Sequence, residues 1–501
     1  MNKILLFSSV LFILSCKKTA TDITPIVLTE DASTFKEISS LSIGGAGAAE
    51  ISTYDPATKR LFTVNNSTNN QIDVIDFANP ANPQKIAFIN LSSYGGGVNS
   101  LDVYDGKLAA ALEASNKQAL GKVVIFNTSS YSEIKVITVG SLPDMVTYSP
   151  DGNFILTANE AEPSTDYSSD PAGTVSIISP NQNYTVTTID FSAFVSQQST
   201  LMSGGLRIFS PTNNFVNDIE PEYITVAEDS KTAWITLQEN NGIAVLDLVT
   251  KTFTKILPLG FKDYNSTDNK IDVSDLDNAK TLANWQVKGM YQPDAIAVLN
   301  NNGIPYLFTA NEGDAREYSA FSEVKRVKTL NLDATFFPNA VTLKLDAQMG
   351  RLNVTNKLGD IDSDGDMDVL YSFGARSFSV WNGITGGLVY DSKNELDAKA
   401  IAENVYDDAR SDDKGAEPEG ITIGKVGNKT IAFIGLERAD AVALYDVTIP
   451  TSPVFIKMLK CGDAPEGVLF IPASKSPSGE SLLVVSSEND GVIKVYKADK
   501  F

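Results

Sequence analysis

Pro465-Glu466-Gly467-Val468, near the end of the chain, repeats Pro418-Glu419-Gly420-Ile421, and the same phrase stands at Pro143-Asp144-Met145-Val146, Pro221-Glu222-Tyr223-Ile224 and Pro293-Asp294-Ala295-Ile296. Each copy is a proline, a carboxylate and the start of an apolar run. Each is answered 16 to 22 residues later by a second acid at the end of the next apolar run: Glu160, Glu239, Glu312, Glu437 and Glu488. Two looser copies come first, Ala49-Glu50-Ile51 answered by Asn65-Asn66, and Val98-Asn99-Ser100-Leu101 answered by Glu113. Seven units at a usual spacing of about 40 to 50 residues, each with several short strands, have the period of propeller blades. The expected fold is all-β, a seven-bladed β-propeller with long loop insertions.

The strands between these phrases support that expectation. Phe154-Ile155-Leu156-Thr157-Ala158 and Leu482-Leu483-Val484-Val485-Ser486 are typical second strands, and Ile72-Asp73-Val74-Ile75-Asp76 and Phe378-Ser379-Val380-Trp381 typical third strands. They are rich in β-branched and aromatic residues and bounded by turn residues such as Ser149-Pro150-Asp151-Gly152. Helical periodicity is scarce.

Composition removes several kinds of chemistry. The 501 residues hold 62 acids against 40 basic residues, a formal charge of −22 that phosphate backbones would repel, so no nucleic-acid partner is expected. There is no histidine, which excludes Ser-His-Asp triads, histidine-rich zinc sites and haem ligation by histidine. What remains is carboxylate chemistry, Lys and Arg electrostatics, and hard cations held by oxygen.

Residues 1–15 have a basic start and an apolar stretch from Ile4 to Leu14 too short to span a bilayer, which predicts a signal peptide. Its end, Ile13-Leu14-Ser15-Cys16, resembles the bacterial lipobox, which implies acylation of Cys16. Residues 16–34 then form an expected tether and 35–501 a single propeller domain. The implied location is the bacterial envelope, outer membrane or cell surface, with the membrane as partner through the lipid. Cys461 is left without a disulfide partner and is expected to be a small buried strand residue.

In antiparallel neighbours the start of one strand lies beside the end of the next. The acids should therefore form two rims on one face. Glu50, Asn99, Asp144, Glu222, Asp294, Glu419 and Glu466 would circle the channel mouth, with Glu113, Glu160, Glu239, Glu312, Glu437 and Glu488 just outside. Like charges this close require protons, arginine or a cation to offset them. Arg316, Arg410 and Arg438 stand near in sequence, and a mix of acids, arginines and cations suits a phosphate or carboxylate ligand. The alternative is that the acids only close turns between blades.

Asp360, Asp362, Asp364, Asp366 and Asp368 alternate, with Gly365 at the sixth position of the loop. This spacing matches the first half of an EF-hand loop and predicts a structural calcium ion. Tyr371 stands where an EF-hand carries its bidentate glutamate, and the acid at the ninth position instead resembles the calcium loops of integrin-type propellers. The ion would pin an insertion of about residues 317–370 in blade five; a second calcium site in the rim is the other candidate. The stretches of about 191–219 and 261–291 are also too long for an ordinary blade and are candidates for the binding face.

Gly204-Gly205-Leu206-Arg207-Ile208-Phe209, Asp218-Ile219-Glu220-Pro221-Glu222, Leu237-Gln238-Glu239-Asn240-Asn241, Gly289-Met290-Tyr291-Gln292-Pro293-Asp294, Thr309-Ala310-Asn311-Glu312-Gly313-Asp314-Ala315-Arg316, Phe373-Gly374-Ala375-Arg376-Ser377-Phe378 and Arg410-Ser411-Asp412-Asp413-Lys414-Gly415 resemble the choice-of-anchor I proteins. The resemblance covers nearly the whole mature chain. It implies a secreted or surface-anchored bacterial propeller related to animal mesenchyme-specific cell-surface glycoproteins. Some such proteins are labelled alkaline phosphatase, without an obvious catalytic motif. The expected function is a calcium-stabilised binding or adhesion module that meets a small-molecule, phosphate or surface ligand through the acid-lined face. The alternatives are a calcium-dependent phosphoesterase resembling propeller phytases, and a lactonase-like hydrolase with one calcium held by Glu50, Asn99, Asp294 and Glu419.

Overall fold

Seven antiparallel four-stranded sheets make up most of the chain. Their first strands are Ala48–Asp55, Val98–Tyr104, Pro143–Tyr148, Ile224–Val226, Ile296–Asn301, Pro418–Val426 and Pro465–Ile471. The computed structural model describes residues 29–68 and 70–501; the expected signal peptide and Cys16 lie outside these. In six sheets the strands follow one another in chain order from the first strand outward. The seventh takes its fourth strand, Glu30–Ser42, from the other end of the chain. The expected tether of 16–34 thus overlaps this strand. Residues 30–34 belong to it because Ala32 and Phe35 are buried against Tyr496 and Phe433 and the backbone pairs with Val492–Lys500.

The second strands are buried on both faces, as in Ile155–Asn159 and Leu482–Ser487, because a sheet lies on either side. Each neighbouring pair of sheets shares one apolar core. That of the second and third, for example, joins Ala109, Ala111, Val123 and Ile125 to Val146, Ile155 and Ile178. The series returns on itself: Leu61, Ile75 and Phe77 of the first sheet pack against Leu482, Val484 and Val495 of the seventh. The turn at Ser149–Gly152 is closed by a 2.8 Å bond from the Gly152 amide to the Ser149 carbonyl, and Gly152 has φ +70° with the Tyr104 ring where a Cβ would stand.

Two of the long stretches meet. Phe261–Asp263 and Lys288–Met290 pair with each other, and Tyr371–Ser372, Asn353–Thr355 and Val324–Arg326 complete a five-stranded satellite sheet. It has its own core of Tyr264, Val273, Val287, Val327, Phe337, Met349 and Val354. Arg351 ties it down through Asp275 at 2.8 Å and Asp412 at 3.0 Å. The insertion in the fifth sheet runs between Ile304–Asn311 and Ser377–Asn382, the interval expected for it. No helix among the described residues is long and apolar enough to cross a membrane.

Candidate functional site

The repeated phrase works through the backbone. In five sheets the pairing of first and second strands slips at the phrase, between Ala48 and Ser52, Val98 and Ser100, Pro143 and Met145, Pro418 and Ile421, and Pro465 and Gly467. Glu50, Asn99, Asp144, Glu419 and Glu466 each sit in such a bulge, which turns a side chain out of the regular alternation. In the fourth and fifth sheets Glu222 and Asp294 precede the first strand. A left-handed residue starts most of these phrases: Ala49, Leu142, Gln292, Glu417 and Ala464 have φ between +42° and +58°. Such a conformation costs about 1 kcal/mol or more at a non-glycine residue, so packing must hold each one in place.

The answering acids are fixed the same way. The amides of Glu113, Glu160, Glu437 and Glu488 donate to the carbonyls of Gly97, Leu142, Glu417 and Ala464 at 2.9 to 3.1 Å. In two of the sheets the residue just before the acid is an asparagine tied to the third strand, Asn159 to Ser176 at 3.0 Å and Asn311 to Ser379 at 2.8 Å.

These constraints bring the acids to one end. A cavity of about 440 Å³ is lined by Glu50, Asp102, Asp144, Glu222, Asp294, Glu312, Asp314, Glu419 and Glu466, together with Asn99, Gln238 and Tyr223. No lysine or arginine among the described residues lines it. Of the expected outer rim, Glu312 reaches the cavity, while Glu113, Glu160, Glu239, Glu437 and Glu488 stand behind it. Burial, then the charges of Glu488 and Asp144, pushes the Glu50 carboxyl up to about 8. Burial raises Asp144 to about 6, with Glu162 next in effect, and Glu437 to about 7, with Glu312 next. Glu222, Asp294, Glu419 and Glu466 are driven well above the usual carboxylate range by burial and then by neighbouring carboxylates, first Glu160 for Glu222, Glu312 for Asp294 and Glu419, and Glu50 for Glu466.

Carboxylate oxygens converge in three groups within 4.8 Å: Glu160, Glu222 and Glu239; Asp294, Glu312 and Glu419; and Glu312, Glu417 and Glu437. The buried Oε2 atoms of Glu222, Glu239, Glu419 and Glu466 meet no donor.

The three arginines singled out in the sequence take structural positions. Arg316 is buried, bound to Asp218 and, at 2.8 Å, to Glu220, with its guanidinium over the Phe209 ring. Arg410 binds Glu417 at 2.7 Å and Asp413 at 2.8 Å, and Arg438 binds Glu437 at 2.9 Å. Two lysines reach the acids: Lys117 lies 3.6 Å from Glu113, and Lys414 has its Nζ in contact with Glu312 and 3.2 Å from Glu417. In the sequence Lys414 stands only as one residue of the Arg410–Gly415 stretch and carries no role, because a lysine in a polar loop is unremarkable until the loop is placed. Asp102 was also missed; it accepts from the Tyr148 amide at 2.7 Å.

The aspartate loop is compact. Asp360 accepts from the amides of Asp364 and Gly365 at 3.1 Å, Asp368 accepts from Ile361 at 2.7 Å, and Gly365 has φ +99°. Asp360, Asp362 and Asp368 converge on one side, and Asp366 and Asp368 meet Asp333, from outside the motif, on the other. Asp364 joins neither group.

Sheets in series around an acid-lined mouth define a β-propeller fold with a polar end cavity. The chain belongs to the choice-of-anchor I domain family, whose model matches residues 50–450. It is similar to Gigasin-3a of Magallana gigas, 27% identical over 189 residues, which are 31% of this chain and 66% of that protein. It is also similar to the mesenchyme-specific cell surface glycoprotein of Strongylocentrotus purpuratus, 26% identical over 357 residues, 60% of this chain and 45% of that one. The chain thus spans less than two thirds of either relative. Among solved structures it is similar to a chain of the hydrazine synthase of Kuenenia stuttgartiensis, 12% identical with a TM-score of 0.51, covering 91% of this chain and 97% of that one. The β-propeller domain of Cps50 (Swd1) from Myceliophteria thermophila is 6% identical with a TM-score of 0.47, covering 93% and 100%. Likeness at these identities concerns the fold alone.

Proposed function

We propose that this chain is an envelope-anchored, calcium-stabilised propeller that serves as a binding or adhesion module, with the acid-lined mouth as its binding face. In this reading the seven sheets are seven blades of one ring, closed by the strand Glu30–Ser42. The observation that carries it is the charge imbalance of the mouth: nine carboxylates line one cavity, and no lining side chain opposes them. Such a cavity favours cations, and through them the anionic groups of a surface ligand. The Asp360–Asp368 loop would hold a structural calcium ion on the satellite sheet, with Asp333 contributing.

Strand direction supports display at a surface. Glu30 pairs with Lys500 at the end of the seventh sheet opposite Pro465 and Glu466. A lipid on Cys16 would therefore hold the sheet from the far end and leave the mouth facing away from the membrane. The membership in the choice-of-anchor I family fits a surface location.

The hydrolase readings lack such support. A phosphoesterase would use an Arg or Lys to stabilise the transferring group, and Arg316, Arg410, Arg438 and Lys414 are all engaged by carboxylates. The lactonase-like set is spread out, since Glu50 shares no convergent group with Asp294 and Glu419 among the described residues.

The test is calorimetric titration of the metal-free protein with calcium in a chain carrying Asp362→Asn and Asp366→Asn, which isolates the mouth. Binding is expected there and should disappear when Glu222, Glu419 and Glu466 are all changed to Gln. A mouth that takes up no calcium in the first chain would sink the reading.

A further inference from the structure

The acids of the mouth differ in what accompanies them, and one group is left bare. Glu160 follows the second strand of the third sheet, Glu222 precedes the first strand of the fourth, and Glu239 follows its second strand, so two adjacent sheets supply the group. Their oxygens lie within 4.8 Å of one another. Glu239 is 4% exposed, yet its Oε2 meets no donor, and neither does the buried Oε2 of Glu222. An unpaired buried carboxylate oxygen carries the full cost of its lost hydration, so two of them facing a third carboxylate ask for a partner.

Among the described residues no lysine or arginine bonds these carboxylates. The charge of Arg316 acts on Glu239, but its donors are committed to Asp218 and Glu220. Arg207 gives its bond to the Glu239 main-chain carbonyl at 2.8 Å and its charge to Glu323. The remaining charged groups that act on the three are the acids Glu162, Asp144, Glu220, Asp294 and Asp314 and the exposed Lys117, which acts on Glu160 but is paired with Glu113 and Glu162. Tyr318 stands nearby with its hydroxyl 3.3 Å from Glu162.

We infer that Glu160, Glu222 and Glu239 form a site for one hard divalent cation of the calcium class, at the edge of the mouth. This rests on the reading of the mouth as a cation-binding face and names where in it the ion sits. The donor set is all carboxylate oxygen, which suits calcium or manganese and not a soft metal, in a chain with no histidine. Glu222 lines the cavity, so the ion's remaining positions open towards it and can take water or an anionic group of a ligand.

The test uses the full chain with Asp362→Asn and Asp366→Asn, so that the loop does not contribute, and calcium alone as the probe. Calorimetry and the calcium-dependent rise in melting temperature are measured with Glu239→Gln and, separately, Glu160→Gln. Each substitution is expected to weaken calcium binding at least tenfold and to abolish the calcium-dependent rise. The metal-free melting temperature should stay level or increase, which shows that the variant folds and has lost a repulsion. Calcium binding that survives in both variants, yet is lost in Glu419→Gln, overturns this site while leaving the mouth reading intact. A parent chain that ignores calcium at pH 8, its acids holding protons instead, overturns both.

Discussion

Two arcs of the same mouth solve one electrostatic problem differently. The third and fourth sheets bring the carboxylates of Glu160, Glu222 and Glu239 together with no lysine or arginine paired to them among the described residues, whereas in the fifth and sixth sheets Lys414 sits between Glu312 and Glu417. Gln238 joins the arcs, donating to Glu312 at 3.0 Å from the position next to Glu239. The repeat therefore fixes where carboxylates stand, and what accompanies them is decided by the irregular loops. One arc carries its cation covalently and is closed; the other has none of its own and is open in that sense.

The largest effect should come from turning the closed arc into an open one. Lys414→Met removes the only lysine contact of Glu312 and Glu417 among the described residues; Glu417 keeps Arg410 at 2.7 Å, and Glu312 is left without a cation. Breaking a buried pair from one side costs about 3 to 5 kcal/mol. Urea denaturation of the metal-free variant should show a loss of that order. Calcium added to the variant should recover part of it, because an ion can replace the missing ammonium. A variant as stable as the parent would mean that Lys414 does not neutralise its arc.

A smaller effect is expected from pH. Glu50 titrates near 8 in the folded protein against an ordinary 4.5, with burial as the first cause and the charges of Glu488 and Asp144 behind it. A raised carboxyl binds its proton more tightly when folded, so its stabilising contribution is complete below about pH 4.5 and lost as pH climbs to about 8. The metal-free protein should lose stability across that window, and Glu50→Gln should flatten the slope by on the order of 1 kcal/mol per pH unit. Melting curves at pH 5 and pH 8 for both chains measure the difference. An unchanged slope would show that Glu50 is neutralised by something other than a proton.

The phase of the repeat was readable because bulge and left-handed turn both leave a mark, the proline and the acid after it. The seven sheets and the shared end of the acids follow from that mark. The partners of the acids left no such trace. Lys414 reaches Glu312 across 102 positions, and Arg316, which adjoins the Glu312 phrase in sequence, turns away to Asp218 and Glu220. Its side chain goes where two carboxylates and the Phe209 ring can desolvate it together. The satellite sheet was hidden for another reason: its strands are two or three residues long, and Lys288–Met290 pairs in parallel with Tyr371–Ser372, which no local alternation can announce.

The aspartate loop, whose acids share no group with either arc, offers a control. Asp362→Asn with Asp366→Asn should remove one calcium ion from the stoichiometry and expose residues 312–376 to proteolysis, with global stability changed less than by Lys414→Met. The satellite sheet has its own core and joins the fifth sheet at the insertion's two ends, so its loosening should stay local. If the loop variant also lost calcium binding at Glu160, Glu222 and Glu239, the open arc would depend on the satellite sheet rather than on its own two sheets.

The smallest effect is expected from the proposed lipid anchor on Cys16. Glu30 enters the seventh sheet beside Lys500, while Glu466 and the answering Glu488 lie at that sheet's other end. The seventh sheet, about seven residues deep in its first strand, spans roughly 20 Å between these ends. An anionic membrane surface acts over about a Debye length, near 8 Å at physiological salt. A mouth held on the far side would therefore not feel the bilayer. Calcium titrations of the lipidated protein on vesicles containing phosphatidylglycerol, and of the Cys16→Ser chain free in solution, should give affinities within about twofold at 0.15 M salt. A mouth pressed against the lipid would instead show a calcium affinity that rises with the vesicles' anionic content, since the surface concentrates divalent cations. That result would place the open arc at the membrane and make the lipid headgroup its ligand.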